Sequence, residues 1–265
     1  MSRIEVSQLF IYPAKSMSHI ALDASAVDRF GLHNDRRWML VDDQGAYVTQ
    51  RQYPRMCLIS TSFTDNQLVL QAPELPVIRV PEAIPGQAVS VKVWNDQCEA
   101  YDCGEIIAQW LSEFMGIKCR LVYFPENENR LIDQGYARPE EYTAFSDGFP
   151  ILLISQASLD DLNSRLEAPV PMTRFRPNLV VSGCEAFAED KWKQIRVGEV
   201  IMRVVKPCSR CVIPTIDTTT GKKGKEPLYT LSQYRRQNNK VFFGQNIITN
   251  NTGQLETGMP VEILE

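Results

Sequence analysis

Two cysteines three positions apart and flanked by cations give the strongest chemical signal in this 265-residue chain. They lie in Lys206-Pro-Cys-Ser-Arg-Cys211, which runs on into Val-Ile-Pro-Thr-Ile-Asp217. Nearby positive charge favours the thiolate, the form that ligates metals and attacks electrophiles. The spacing alone leaves several chemistries open. A structural zinc site takes four ligands, commonly from two such pairs, and the only other close pair is Cys98 and Cys103. A thioredoxin-like redox pair opens a helix, whereas β-branched residues and Pro214 follow this one. An iron–sulfur cluster needs two further cysteines at cluster spacing, and the sequence has none. Two buried thiols at a strand end are the plainest alternative.

A second signal is Thr173-Arg-Phe-Arg-Pro-Asn178, where guanidinium forks suit phosphate oxygens, although a solvated loop has the same composition. Pro13-Ala-Lys-Ser16 and Asn34-Asp-Arg-Arg37 each place a cation at a strand edge or turn. The chain has only two histidines, His19 and His33, which argues against a histidine-rich zinc hydrolase. The chemistry must then rest on cysteine, arginine, lysine or a cofactor.

The elements that position these residues read as β-rich. Ile4 to Ile11, Trp38 to Val41 with a return arm from Ala46 to Thr49, Gln67 to Leu70 and Val89 to Trp94 alternate as half-buried strands. Prolines 73, 76, 81 and 85 keep them short. A first helix is predicted after Gly104, with Ile106, Ile107, Trp110, Leu111 and Phe114 on one face and Gly116 as terminator. A second spans Gln156 to Leu166 behind Ser155 as N-cap, and a third starts near Pro227 with Leu228, Leu231 and Tyr234 aligned. Strands follow at 179–182, 195–205, 241–243 and 260–264. The expected fold is mixed, β-rich α+β, with two β-based lobes sharing a core.

Bulk properties narrow the function. With 44% hydrophobic and 23% charged residues, the chain has an ordinary globular composition. A net charge of −4 argues against a nucleic-acid polymer as partner. No apolar run approaches the roughly 18 residues of a membrane span. The first residues show no basic and apolar leader, so the expectation is a cytoplasmic protein with no membrane contact. Seven scattered cysteines do not form a disulfide framework.

In order along the chain, these segments resemble MOSC-domain proteins that carry an N-terminal MOSC β-barrel domain. The resemblance is particularly to the mitochondrial amidoxime-reducing component and its bacterial relatives. The resemblance runs almost end to end through Leu9-Phe-Ile-Tyr-Pro-Ala-Lys-Ser16, Asp35-Arg-Arg-Trp38, Thr49-Gln-Arg-Gln52, Asp102-Cys-Gly-Glu105 and Phe145-Ser-Asp147. It continues through residues 155–166, Phe175-Arg-Pro-Asn178, Cys208-Ser-Arg-Cys211 and Phe243-Gly-Gln245. It implies an N-terminal β-barrel-like lobe over residues 1–120, packed on a MOSC β-barrel with a few helices over residues 121–265.

The resemblance also implies a molybdenum cofactor, a molybdopterin, whose metal takes the Cys211 thiolate. Lys15, Ser16 and Arg36 would hold the pterin phosphate or its surroundings, and Ser146 and Asp147 would lie near the pterin. Arg176 and Asn178 would contact cofactor groups, while Ser209 and Arg210 would flank the metal. Cys208 reads as a supporting residue, and Asp217 as either a loop-orienting or a proton-delivering group. The implied reaction removes oxygen from the N–OH group of amidoximes, hydroxylamines or N-hydroxylated bases, using two electrons and two protons. The chain ends at Glu265 with no cysteine array for an intrinsic iron–sulfur cluster. Electrons are therefore expected from a separate ferredoxin, flavoprotein or cytochrome. Two alternatives use the same residues: a sulfur carrier with a Cys211 persulfide, and a non-catalytic carrier of the cofactor.

Overall fold

A computed structural model describes residues 3–81 and 88–265, so Pro85, expected to help keep the strands short, lies outside the described residues. The fold is mixed α+β, with a curled half-barrel sheet and a separate N-terminal β-rich lobe. The large sheet has nine strands. Across it run Val261–Ile263, Gln194–Val197, Val200–Ser209, Lys240–Thr249, Ile151–Ser155, Leu179–Ser182, Glu5–Ile11 and Ile20–Leu22, with Arg236–Gln237 pairing on Lys240–Thr249. Alternation along these strands builds two cores. Leu9, Ile11, Leu153, Leu179 and Val181 face one cluster, while Phe10, Tyr12, Ile154 and Val180 face the other.

Ile151–Ser155 and Leu179–Ser182 pair in parallel, so the chain must cross over between them. That crossover carries α2 (Gln156–Asn163), one of three α-helices among the described residues, with α1 (Glu105–Met115) and α3 (Leu228–Tyr234). In α2 the Ser155 hydroxyl accepts the Ser158 N–H at 3.1 Å, as its N-cap reading requires. The helix stops at Asn163, short of the expected Leu166. α1 ends at Gly116 in the left-handed conformation as expected, but Ile106 is 75% exposed. Its buried face is Ile107, Ala108, Trp110, Leu111, Phe114 and Met115, and neighbours 106 and 107 point about 100° apart.

The N-terminal lobe centres on the sheet of Trp38–Val41, Arg120–Tyr123, Asp96–Asp102 and Ala88–Val93. Leu40 and Leu121 pack under α1, whereas Met39, Val41 and Val122 face the opposite cluster. The return arm expected at 46–49 is not a strand. The Asp42 carboxylate gathers the N–H groups of Gln44 and Ala46, and only isolated bridges follow. The two halves interlock: Glu5–Ile11 belongs to the large sheet, and Gly253–Glu256 pairs with Ala24–Asp28. Among the described residues, no helix is long and apolar enough to cross a membrane.

Candidate functional site

Proline and two bulges turn the strand Val200–Ser209 toward a cavity. Its register against Lys240–Thr249 shifts between Val204 and Lys206 and again between Pro207 and Ser209. Pro207 has no N–H for the ladder, and bulges re-aim side chains at a sheet rim. Residues 206–209, still paired with Lys240–Thr249, and residues 210–211 beyond the strand end thus run along one wall of a cavity of about 600 Å³. Cys208, Ser209, Arg210 and Cys211 all line it.

The facing walls are loops tied to the sheet by hydrogen bonds. The Lys15 N–H reaches the Trp38 carbonyl at 2.7 Å, Arg36 N–H the Tyr12 carbonyl at 2.9 Å, and Phe145 N–H the Arg36 carbonyl at 3.0 Å. Ser16, Arg36 and Arg176 adopt φ of 70°, 50° and 57°, a region uncommon for residues with a Cβ and concentrated at binding sites. Arg36 donates to Asp35 and, at 2.9 Å, to Asn178 Oδ1, and it stacks 4.4 Å over the Tyr12 ring. Arg176 covers the same ring at 4.0 Å and donates to the Met17 carbonyl at 2.6 Å.

Charge is concentrated here. Lys15, Arg36, Arg51, Arg176, Lys206, Arg210 and Lys240 line the cavity against one carboxylate, Asp147. Asp147 bridges Lys15 Nζ at 2.5 Å and Arg51 Nη2 at 2.7 Å. Enclosure opposes its ionisation, but those two cations outweigh it and hold the carboxyl well below the usual range. Burial lowers Lys15 to about 8 and Arg176 to about 10; Asp147 partly offsets the first shift, and Arg36 adds to the second. Burial likewise opposes the charge on Arg51, but Asp147 and then Cys211 outweigh it, so the guanidinium beside the Cys211 sulfur stays charged. Arg210 donates to Cys208 Sγ at 3.0 Å and to the Phe175 carbonyl at 2.6 Å. Arg176 Nη2 and Arg210 Nε are buried without a partner among the described residues.

Residues 3–118 match the MOSC N-terminal beta barrel domain, and residues 140–262 match the MOSC domain. Mitochondrial amidoxime-reducing component 1 of Homo sapiens is 38% identical over 98% of this chain and 82% of its own length. The chain belongs to the MOSC family. It is homologous to the mitochondrial amidoxime-reducing components, including component 2 of Bos taurus, 34% identical over 97% of this chain and 82% of that protein. The YUAD protein from Bacillus subtilis aligns over 98% of this chain and 97% of its own, at 12% identity and a TM-score of 0.43. The expected cytoplasmic location is corrected: the matched relatives are named as mitochondrial components, and the absence of a legible leader never specified the cytoplasm.

In this MOSC protein ten of the eleven sequence-predicted site residues line the one cavity; Asp217 does not. Its carboxylate accepts from the N–H and hydroxyl groups of Thr219 and Thr220, and it is held at about 2, first by the Thr219 hydroxyl. Its carboxylate thus holds the groups of its own loop, outside the cavity lining. Asn178 lines the cavity, yet its amide already bonds Arg36, Leu152 N–H and the Phe10 carbonyl, which makes it a brace. Gln50, Arg51, Trp94 and Lys240 were missed. Gln50 and Arg51 fall within the matched segment Thr49-Gln-Arg-Gln52, where Arg51 is the cation. Among the described residues no group of three His, Cys, Asp or Glu side chains could hold a metal.

The residues fit an anionic cofactor with a metal of its own. Seven cations meet one carboxylate, two buried guanidinium nitrogens lack acceptors, and a single thiol stands beside Arg51. Buried unpaired donors are costly, and phosphate oxygens would satisfy them.

Proposed function

We propose that this chain holds a molybdenum cofactor through Cys211 and reduces N-hydroxylated substrates with electrons from a separate donor. The observation that carries the reading is Cys211 in a cavity whose cations far outnumber its carboxylates and include partnerless guanidinium nitrogens. Homology to proteins named amidoxime-reducing components supports the reaction class. The reading keeps two units, approximately 1–120 and 121–265, with the boundary strand Arg120–Tyr123 pairing into the N-terminal lobe.

Lys15, Ser16, Arg36, Arg176 and Arg210 would hold the pterin and its phosphate, with Ser146, Asp147 and Ser209 bordering them and Asn178 bracing Arg36. Cys211 would supply the one protein ligand to the metal. Bound there, the cofactor supplies the two-electron chemistry that cleaves an N–O bond. Arg51 would keep positive charge beside the Cys211 sulfur. Cys208 anchors Arg210, whose guanidinium then faces the cavity.

The test is turnover of benzamidoxime by cofactor-loaded protein with reduced methyl viologen. Benzamidine should form, and Cys211→Ser should abolish its formation. A loaded wild type that makes no amidine would leave a cofactor carrier. Cyanide-releasable sulfur on Cys211 in metal-free protein would instead favour the sulfur carrier.

A further inference from the structure

One aromatic side chain reaches the cavity from the N-terminal lobe, and its backbone position is a costly one. Ala88–Val93 and Asp96–Asp102 form a hairpin in which Val93 pairs with Asp96, so Trp94 and Asn95 make the whole turn. Two-residue turns favour glycine, asparagine or aspartate where φ is positive. Trp94 stands there instead at φ 57°, a region in which a bulky residue is an outlier. It is also 40% exposed, so neither turn geometry nor core packing accounts for an indole at this place. Such strain persists where the surroundings hold it, and it concentrates at ligand sites.

The surroundings hold Trp94 against the cavity. Its indole N–H donates to Asp147 Oδ1 at 3.4 Å, the Arg51 guanidinium lies 4.7 Å from the ring centroid, and the Tyr47 ring is tilted against it at 5.4 Å. Arg51 also borders the Cys211 sulfur, so a single side chain links the indole to the thiol. Tyr136 and Phe149 line the same cavity, their rings 5.9 Å apart and edge to face. The cations serve an anionic cofactor, whereas these rings add nothing to anion binding and offer aromatic surface to a second molecule. A flat ring packs on such surface in offset or edge-to-face arrangements that are worth more than the buried area alone. A puckered alkyl ring of the same size gains only the area.

We propose that Trp94 is a specificity-determining residue of the cavity, selecting substrates whose N-hydroxylated group is carried on a flat aromatic ring over those that carry it on an alkyl ring. The proposal rests on the reductase reading and adds to it the side chain that sorts the substrates. The strained turn is what projects the indole from the N-terminal lobe to the neighbourhood of Cys211.

The test sets benzamidoxime against cyclohexanecarboxamidoxime, which keeps the six-membered ring and removes its flatness. Cofactor-loaded wild type, Trp94→Phe and Trp94→Gly are compared, with folding checked by circular dichroism; glycine suits the left-handed position, so the turn survives its introduction. Binding of each compound without reductant is measured by calorimetry, and turnover is driven by reduced methyl viologen. Wild type should bind the flat compound roughly three- to tenfold more tightly, with a matching ratio in KM. Trp94→Gly should bring both ratios to about one, and Trp94→Phe should restore most of the preference. Equal binding of the two compounds by wild type, or an undiminished preference in Trp94→Gly, would overturn this proposal alone. Preferential binding of the flat compound with no amidine formed from either would overturn the reductase reading while upholding the ring contact.

Discussion

Lys15 shows most directly how burial shapes the chemistry of a single residue. Burial lowers it from 10.5 to about 8, partly offset by Asp147. The folded chain therefore loses this proton as pH rises through about 8, while the unfolded chain keeps it to about 10.5. Between those values the unfolded state binds more protons, so Lys15 destabilises the fold least at high pH. An anionic ligand needs the opposite condition, a charged ammonium. Cofactor retention after dialysis should accordingly fall several-fold between pH 7 and pH 9, and Lys15→Arg should flatten that dependence. A loss of equal size in Lys15→Arg would assign the titration to another group. Cys211, Lys15 and Arg36 were legible in sequence because each sits in a short matched segment. The role of Arg51 was not, because 160 positions separate it from Cys211 and only the fold makes them neighbours.

At the scale of elements, local signals were readable where they depend on nearby residues. The Ser155 cap and the Gly116 stop of α1 follow from side-chain and φ preferences within a turn. The exposed Ile106 shows the limit: an apolar residue was assigned to a buried face that its angular position cannot reach. Register was not readable either, since the bulges that re-aim residues 204–209 depend on a partner strand some 40 residues away. Gly244 marks one close approach inside that pairing. At φ 81°, an added Cβ would stand 2.8 Å from the Leu153 carbonyl oxygen and 2.6 Å from Ile154 Cγ1. Gly244→Ala should cost about 2–4 kcal/mol in urea unfolding, from backbone strain and overpacking together. A change under about 0.5 kcal/mol, the range of neutral surface substitutions, would show that the strand can yield there.

The whole molecule is more interlocked than its two matched segments suggest. Val6, Leu9 and Ile11 lie in the same core cluster as Leu179, Ile195 and Ile247, and Phe63 packs against both that cluster and the core under α1. Pairing of Glu5–Ile11 with Leu179–Ser182 spans some 170 residues, beyond the reach of any local pattern. A fragment of residues 121–265 should therefore lack cooperative thermal unfolding, because it would lose the strand that pairs with Leu179–Ser182 and expose that cluster to water. A cooperative transition in the isolated fragment would contradict this.

The central claim is that a net acidic chain builds a basic cavity around Cys211 to hold a molybdenum cofactor. It is tested most directly by the molybdenum-to-protein ratio, from elemental mass spectrometry of wild type and Cys211→Ser made in a cofactor-sufficient host, with folding checked by circular dichroism. Near-stoichiometric metal in the wild type, and its loss in a folded variant, is the result the account predicts. Folded wild type without molybdenum, or undiminished metal in Cys211→Ser, would contradict it.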